Sequence, residues 1–165
     1  MPSKTVVNGL SMQVSQHVYA DADRIELIKR LNTALATEMI CVLRYRRYHF
    51  MAHGVDADDF LLQSNEVLGH ADQIAKRIVQ LGGTPDFAPD QFSHSSHEHY
   101  MPGESLRVLI EQDQVAERIA MDGYREMIQS ITTQDVMSRR MLKEILAAKQ
   151  GYAKQLSRLM PRLRS

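Results

Sequence analysis

The chain has no tryptophan, a single cysteine and no excess charge of either sign. With Cys41 alone, no disulfide framework can form within one chain, which fits a reducing cytosol and a cytoplasmic location. Lys plus Arg number 20 and Asp plus Glu number 20, so there is no general electrostatic pull toward nucleic acid or an anionic membrane. The basic cluster Arg44, Arg46 and Arg47 is short and reads as a solvated or inter-subunit helix face. No apolar run approaches the length of a transmembrane helix, and Met1-Pro2-Ser3-Lys4-Thr5-Val6 lacks the core of a signal peptide, so no membrane partner is expected. Methionine, by contrast, is abundant at 10, as suits the irregular gaps of a helical core.

Residues 1–20 show no clear period and read as an N-terminal extension, partly mobile or docked on a neighbouring subunit. Residues 21–165 read as one all-α domain of four long helices. The first starts at Asp21 or Asp23 as N-cap and ends near His53-Gly54, with Gly54 at the position after the cap. Its stripe is Leu27, Leu31, Leu35, Glu38, Val42, Tyr45 and His49. The second runs from about Ala57 to Leu81 with the stripe Phe60, Gln63, Val67, His70, Ile74, Ile78 and Leu81, and Gly82-Gly83 with Pro85 ends it. The third starts near Ser105 and carries Leu106, Ile110, Asp113, Glu117, Ala120, Tyr124 and Met127. The fourth runs from about Val136 to Met160, where Pro161 stops it, with Ser138, Leu142, Ile145, Lys149, Tyr152, Leu156 and Leu159 inward. Too few residues follow for a fifth helix. The connection from 84 to about 102 is long enough to cross the body, which lets the third helix run parallel to the second; this is a four-helix bundle with one crossover. Its His94, His97 and His99 read as a polar loop rather than a surface metal site, because no cysteine or helical i, i+4 pair accompanies them.

A histidine on an apolar stripe is by default a satisfied core residue, and His70 taken alone would be one. It is not alone. Glu38, Asp113, Glu117 and Lys149 also fall on inward faces, with Tyr152 beside them and Glu66 one turn before His70. An unpaired buried charge is costly, so these groups call for a cation, hydrogen bonds or a proton. Helix packing brings the mid-points together, and one polar cluster accounts for them better than separate oddities.

From about Asp23 to Met160 the chain resembles the ferritin-like superfamily, and within it the bacterioferritins and related bacterial ferritin-like, Dps-like proteins. The resemblance rests on Leu31-Asn32-x-Ala34-Leu35-x-x-Glu38 with Tyr45, and on His70-Ala71-Asp72 through Arg77-Ile78-x-x-Leu81-Gly82-Gly83-x-Pro85. To these it adds Glu117 with Tyr124-Arg125-Glu126-Met127-Ile128, and Ser138-Arg139-Arg140-Met141-Leu142-x-Glu144-Ile145-Leu146. It implies oxidation of Fe(II) by O2 or peroxide at a di-iron centre, and ferric mineral stored in a hollow shell of identical subunits. The implied centre takes one Glu from each of two helices and Glu-x-x-His from each of the other two. Glu38 and Glu117 match the single glutamates, and His70 matches the first histidine. The glutamate before it is replaced by Val67, with Glu66 one residue early and rotated by roughly 100°. The second Glu-x-x-His is replaced by Lys149 and Tyr152. The position of the haem-ligating methionine holds Leu68, so haem is not expected.

These losses share a sign: a carboxylate is removed at Val67, and a cation enters at Lys149. The resemblance therefore leads to two arrangements. In one, Lys149 bridges Glu38 and Glu117 with His70 and Tyr152 completing the hydrogen bonds. In the other it snorkels to the surface. For function, the first expectation is an iron-storage or iron-homeostasis shell subunit with ferroxidase activity weak or lost, working alone or with an active paralogue. A second is an active ferroxidase with a shifted iron site at Glu38, Glu66, His70 and Glu117, with Asp113 as an additional carboxylate. A third is a Dps-like protective shell, for which the N-terminal extension and missing fifth helix speak and the neutral charge and lysine-poor tail do not.

Overall fold

The computed structural model describes residues 18–54, 56–95 and 104–163. Among them lie five α-helices: α1 (Asp21–Met51), α2 (Asp56–Gln80), α3 (Pro89–Ser95), α4 (Leu106–Ser130) and α5 (Val136–Leu159). A 3-10 turn, Met160–Arg162, follows α5, and no strand occurs among the described residues. The four long helices are those expected, but a fifth is present after all. It is the seven-residue α3, which lies inside the crossover and packs on α1. Pro89 suits a first helical position, where its missing N–H costs nothing, but so short a piece carries no readable hydrophobic period. At the C-terminus Pro161 does not simply end the chain's helicity; it sits in the 3-10 turn.

The ends of the helices follow local chemistry, with two corrections. The N-cap of α1 is Ala20, not Asp21 or Asp23, and its side chain makes no cap bond; both aspartates lie in the first turn, where they face the positive end of the helix dipole. The C-cap is Ala52, whose N–H reaches Tyr48 O, and Gly54 follows two residues later at φ 89°. Gly82 does close α2 in the expected way. Its N–H reaches Val79 O and that of Gly83 reaches Ile78 O, both at 2.9 Å, a Schellman closure that requires the positive φ of 84° at Gly82. Ser105 caps α4 and Asp135 caps α5 through their side chains. Asp135 also receives Arg77 at 2.9 Å and Tyr19 at 2.7 Å, which ties the start of α5 to α2 and to the segment before α1. Asn32 fixes the start of the crossover, accepting from Asp86 N–H and donating to Thr84 O.

α1 packs along α2 and α4 along α5, and the pairs meet α1 on α4 and α2 on α5. The inward stripes are as the periodicity predicts, most fully in α5, where Ser138, Leu142, Ile145, Lys149, Tyr152, Leu156 and Leu159 are all buried. The apolar core is divided in two. One cluster, with Leu31, Leu35, Ile74, Ile78, Leu142 and Ile145, fills the end near the α2 closure. The other fills the opposite end with Val42, Tyr45, Tyr48, Phe60, Ile110 and Leu156, its rings meeting edge to face. Between them, at mid-height, lie Glu38, Glu117 and Lys149, each nearly or wholly buried. The bundle thus positions one polar layer between two apolar ones. The expectations for residues 1–17, for the side chain of His94, and for His97 and His99 fall outside the described residues.

Candidate functional site

Lys149 is the centre of this layer. Its Nζ lies 2.9 Å from Glu38 Oε1 and 3.2 Å from Glu117 Oε2, with the lysine side chain only 1% exposed. The ammonium therefore bridges the two carboxylates and does not snorkel. Burial alone would make Lys149 easier to deprotonate. The adjoining carboxylates of Glu38 and Glu117, at 2.9 and 3.2 Å, outweigh burial and hold its pKa well above the ordinary lysine value, so it stays charged.

The remaining partners differ from those expected. Glu38 Oε1 accepts from the Tyr124 hydroxyl at 2.8 Å, and Glu117 Oε1 accepts from the Cys41 thiol at 3.0 Å. Burial first, and then the neighbouring carboxylates, raise the Tyr124 phenol and the Cys41 thiol well above their usual ranges despite the opposing Lys149 charge. Both remain protonated donors. Tyr152 does not complete the Lys149 set. Its hydroxyl bonds Glu66, whose rotation out of the core still leaves its carboxylate within reach of the phenol. His70 makes no hydrogen bond to the cluster: Nδ1 stands 3.9 Å from Glu38 Oε2, and both atoms are buried without a partner. Burial lowers the His70 pKa, against the pull of Glu38, which favours the neutral ring.

Asp113, although wholly buried, is paired with Arg44 at 2.7 Å, so the Arg44 side chain reaches inward from the short basic cluster. Arg46 does face outward, donating to Asn65. The pairs Cys41–Glu117 and Arg44–Asp113 are successive steps of one antiparallel register between α1 and α4. Val67 is buried among apolar residues and brings no polar atom to the layer.

The structure thus brings together Glu38, Glu117 and Lys149, with His70 at the edge, and keeps Glu66–Tyr152 and Asp113–Arg44 as separate pairs. Sequence reasoning missed Cys41 and Tyr124 as members. The signal was available, since Cys41 lies three residues from Glu38 and Tyr124 lies seven from Glu117, each on the same helix face. Among the described residues, no group of three or more His, Cys, Asp or Glu is placed to hold a metal ion. Of the layer's carboxylate oxygens only Glu38 Oε2 has no partner, so an incoming cation would meet that oxygen and His70 Nδ1, and otherwise an ammonium.

The family model of the ferritin-like domain matches residues 28–165. The curated bacterioferritin of Desulfovibrio desulfuricans is 24% identical over 134 residues, spanning 78% of this chain and 71% of the relative. Among solved structures, the dodecameric thioferritin of Bacteroides fragilis, a bacterioferritin-related protein, superposes with a TM-score of 0.76 at 24% identity, covering 93% of this chain and 94% of that one. The Dps homologue of Halobacterium salinarum superposes with a TM-score of 0.73 at 19% identity, covering 87% of each chain. These likenesses carry the fold. No described helix is long and apolar enough to cross a membrane.

Proposed function

The chain belongs to the family of ferritin-like domains, and on that premise we propose that it is a self-associating iron-homeostasis protein whose intrasubunit di-iron centre has been replaced by a salt-bridged lysine. In this reading Glu38, His70 and Glu117 are the retained ligand positions, and Lys149 supplies the positive charge that two metal ions supply in an active centre. The residues present do not fit a di-iron pair. The ammonium takes up one oxygen of each retained glutamate, Cys41 takes the second oxygen of Glu117, and Glu66 is held by Tyr152. The observation that carries the reading is the Lys149 bridge at 2.9 and 3.2 Å.

Iron oxidation would then fall to another chain, and this subunit would contribute to a shell, storing iron or protecting against it. The fold shared with the dodecameric B. fragilis thioferritin supports assembly. The reading with a shifted active site retains one observation in its favour, the facing unpartnered atoms Glu38 Oε2 and His70 Nδ1. Two donors fall short of the four that part of the sequence pattern allowed.

Aerobic Fe(II) oxidation separates the readings. The native protein should oxidise iron no faster than a Glu38→Ala variant or buffer, while a Val67→Glu, Lys149→Glu, Tyr152→His variant, with the ligand set rebuilt, should gain a rate above both. A native rate above the Glu38→Ala variant rejects the proposal. Light scattering coupled to gel filtration tests assembly, with a monomer as the outcome that rejects a shell.

A further inference from the structure

A groove of about 280 Å³ opens between α1 and α4, on the side of the bundle where Cys41, Glu117 and Tyr124 reach the surface of the polar layer. Its walls are mainly Ala34, Ile40, Ala116, Ile119, Ala120 and Met127. Its floor offers little polar recognition: Glu117 is occupied by Cys41 and Lys149, and the Tyr124 hydroxyl donates to Glu38. The two ends differ in charge. At one, Arg44 is neutralised by Asp113 at 2.7 Å. At the other, Arg30 donates to the neutral Ser130 hydroxyl at 2.8 Å and has no carboxylate partner among the described residues. Arg30 and Arg44, fourteen positions apart, are separated by about 21 Å along the helix, at about 1.5 Å per residue. Gly123, in the interior of α4, also lines the groove; a Cβ there would meet nothing within 4 Å, so close packing does not require glycine at this point. An apolar trough with one uncompensated guanidinium at its end is complementary to an amphiphile with one anionic end.

We propose that this groove binds a monomeric medium-chain fatty acid, its carboxylate on Arg30 and its acyl chain along α1 and α4 toward Ile40. The guanidinium suits a carboxylate through paired N–H donors, and the chain buries apolar surface without opening any hydrogen bond of the floor. Binding of this kind needs neither iron nor the state of the Lys149 layer, so it stands independently of the function proposed above.

Isothermal titration of the full-length, delipidated protein with decanoate below its micellar concentration tests it, alongside decanol, decyltrimethylammonium and phosphatidylglycerol vesicles. Decanoate should saturate at one per chain. Decanol should bind at least about tenfold more weakly, and Arg30→Gln should bring decanoate down to the decanol level. Gly123→Leu, whose Cβ meets nothing within 4 Å, should abolish binding with a thermal melt that is not lowered. If that variant fails to fold, Arg30→Gln still decides. No saturation with decanoate, equal binding of the cationic amphiphile, retained binding in a folded Gly123→Leu protein, or binding to vesicles alone would each overturn the proposal.

Discussion

Replacing Lys149 by methionine removes the ammonium while keeping most of the side chain's volume. Glu38, wholly buried, and Glu117, 5% exposed, would then face each other without a counter-charge. At an effective dielectric of about 20, a charge pair near 3 Å is worth about 5 kcal/mol before desolvation, and the observed contacts are 2.9 and 3.2 Å. Desolvation offsets much of this, so the measurable quantity is the loss on removing one partner, about 3–5 kcal/mol against a typical total of about 5–15. The sign with pH also follows. Lys149 has a folded pKa raised above its unfolded value, so its contribution is fully present below the ordinary lysine pKa and is lost only as pH rises through the folded one. In the native protein the Lys149 contribution should therefore stay constant between about pH 6 and 9. The assay is urea unfolding at matched protein concentration with chelator present. The triple variant Glu38→Gln, Glu117→Gln, Lys149→Met completes the cycle and should recover most of the loss, because the buried charges leave together. A single-variant loss below about 1 kcal/mol, or no recovery in the triple variant, would refute the reasoning.

Other consequences are smaller and separable. Tyr124→Phe removes a buried donor to Glu38 and should cost about 1–3 kcal/mol in thermal unfolding, whereas Tyr152→Phe, whose partner Glu66 is exposed, should cost under about 1 kcal/mol. At the other end of the bundle, burial alone would raise the Asp135 pKa, but Ser138, Tyr19 and Arg77 together lower it. A depressed carboxylate stabilises above its unfolded pKa and loses that contribution as pH falls through the folded one. Asp135→Asn keeps a capping side chain, so its deficit, about 1.5–3 kcal/mol at neutral pH, should shrink below about pH 4 in melts across the acid range.

The bundle was legible because each long helix repeats its apolar residues over six or seven turns, and because glycine and proline punctuate the second helix where it stops. A seven-residue helix such as α3 offers no such repetition. The site was legible by face but not by partner. Periodicity placed Glu38, Glu117 and Lys149 inward at one height, and their mutual charge then left few arrangements, of which the bridge is one. Periodicity does not choose between neighbours a few ångströms apart. Tyr152 turned to Glu66 and not to the ammonium, and Asp113 turned to Arg44, because the antiparallel register of α1 on α4 sets Arg44 opposite Asp113. Cys41 was weighed only for disulfides, which hid its place one turn from Glu38 as a buried thiol donor.

The central claim is that an ammonium occupies the place of the metal pair. The most direct measurement is an anomalous difference map at the iron edge from crystals soaked in Fe(II). No iron peak should appear between Glu38 and Glu117, and Lys149 Nζ should remain in contact with both carboxylates. A peak coordinated by both glutamates, with Nζ displaced from between them, would contradict it.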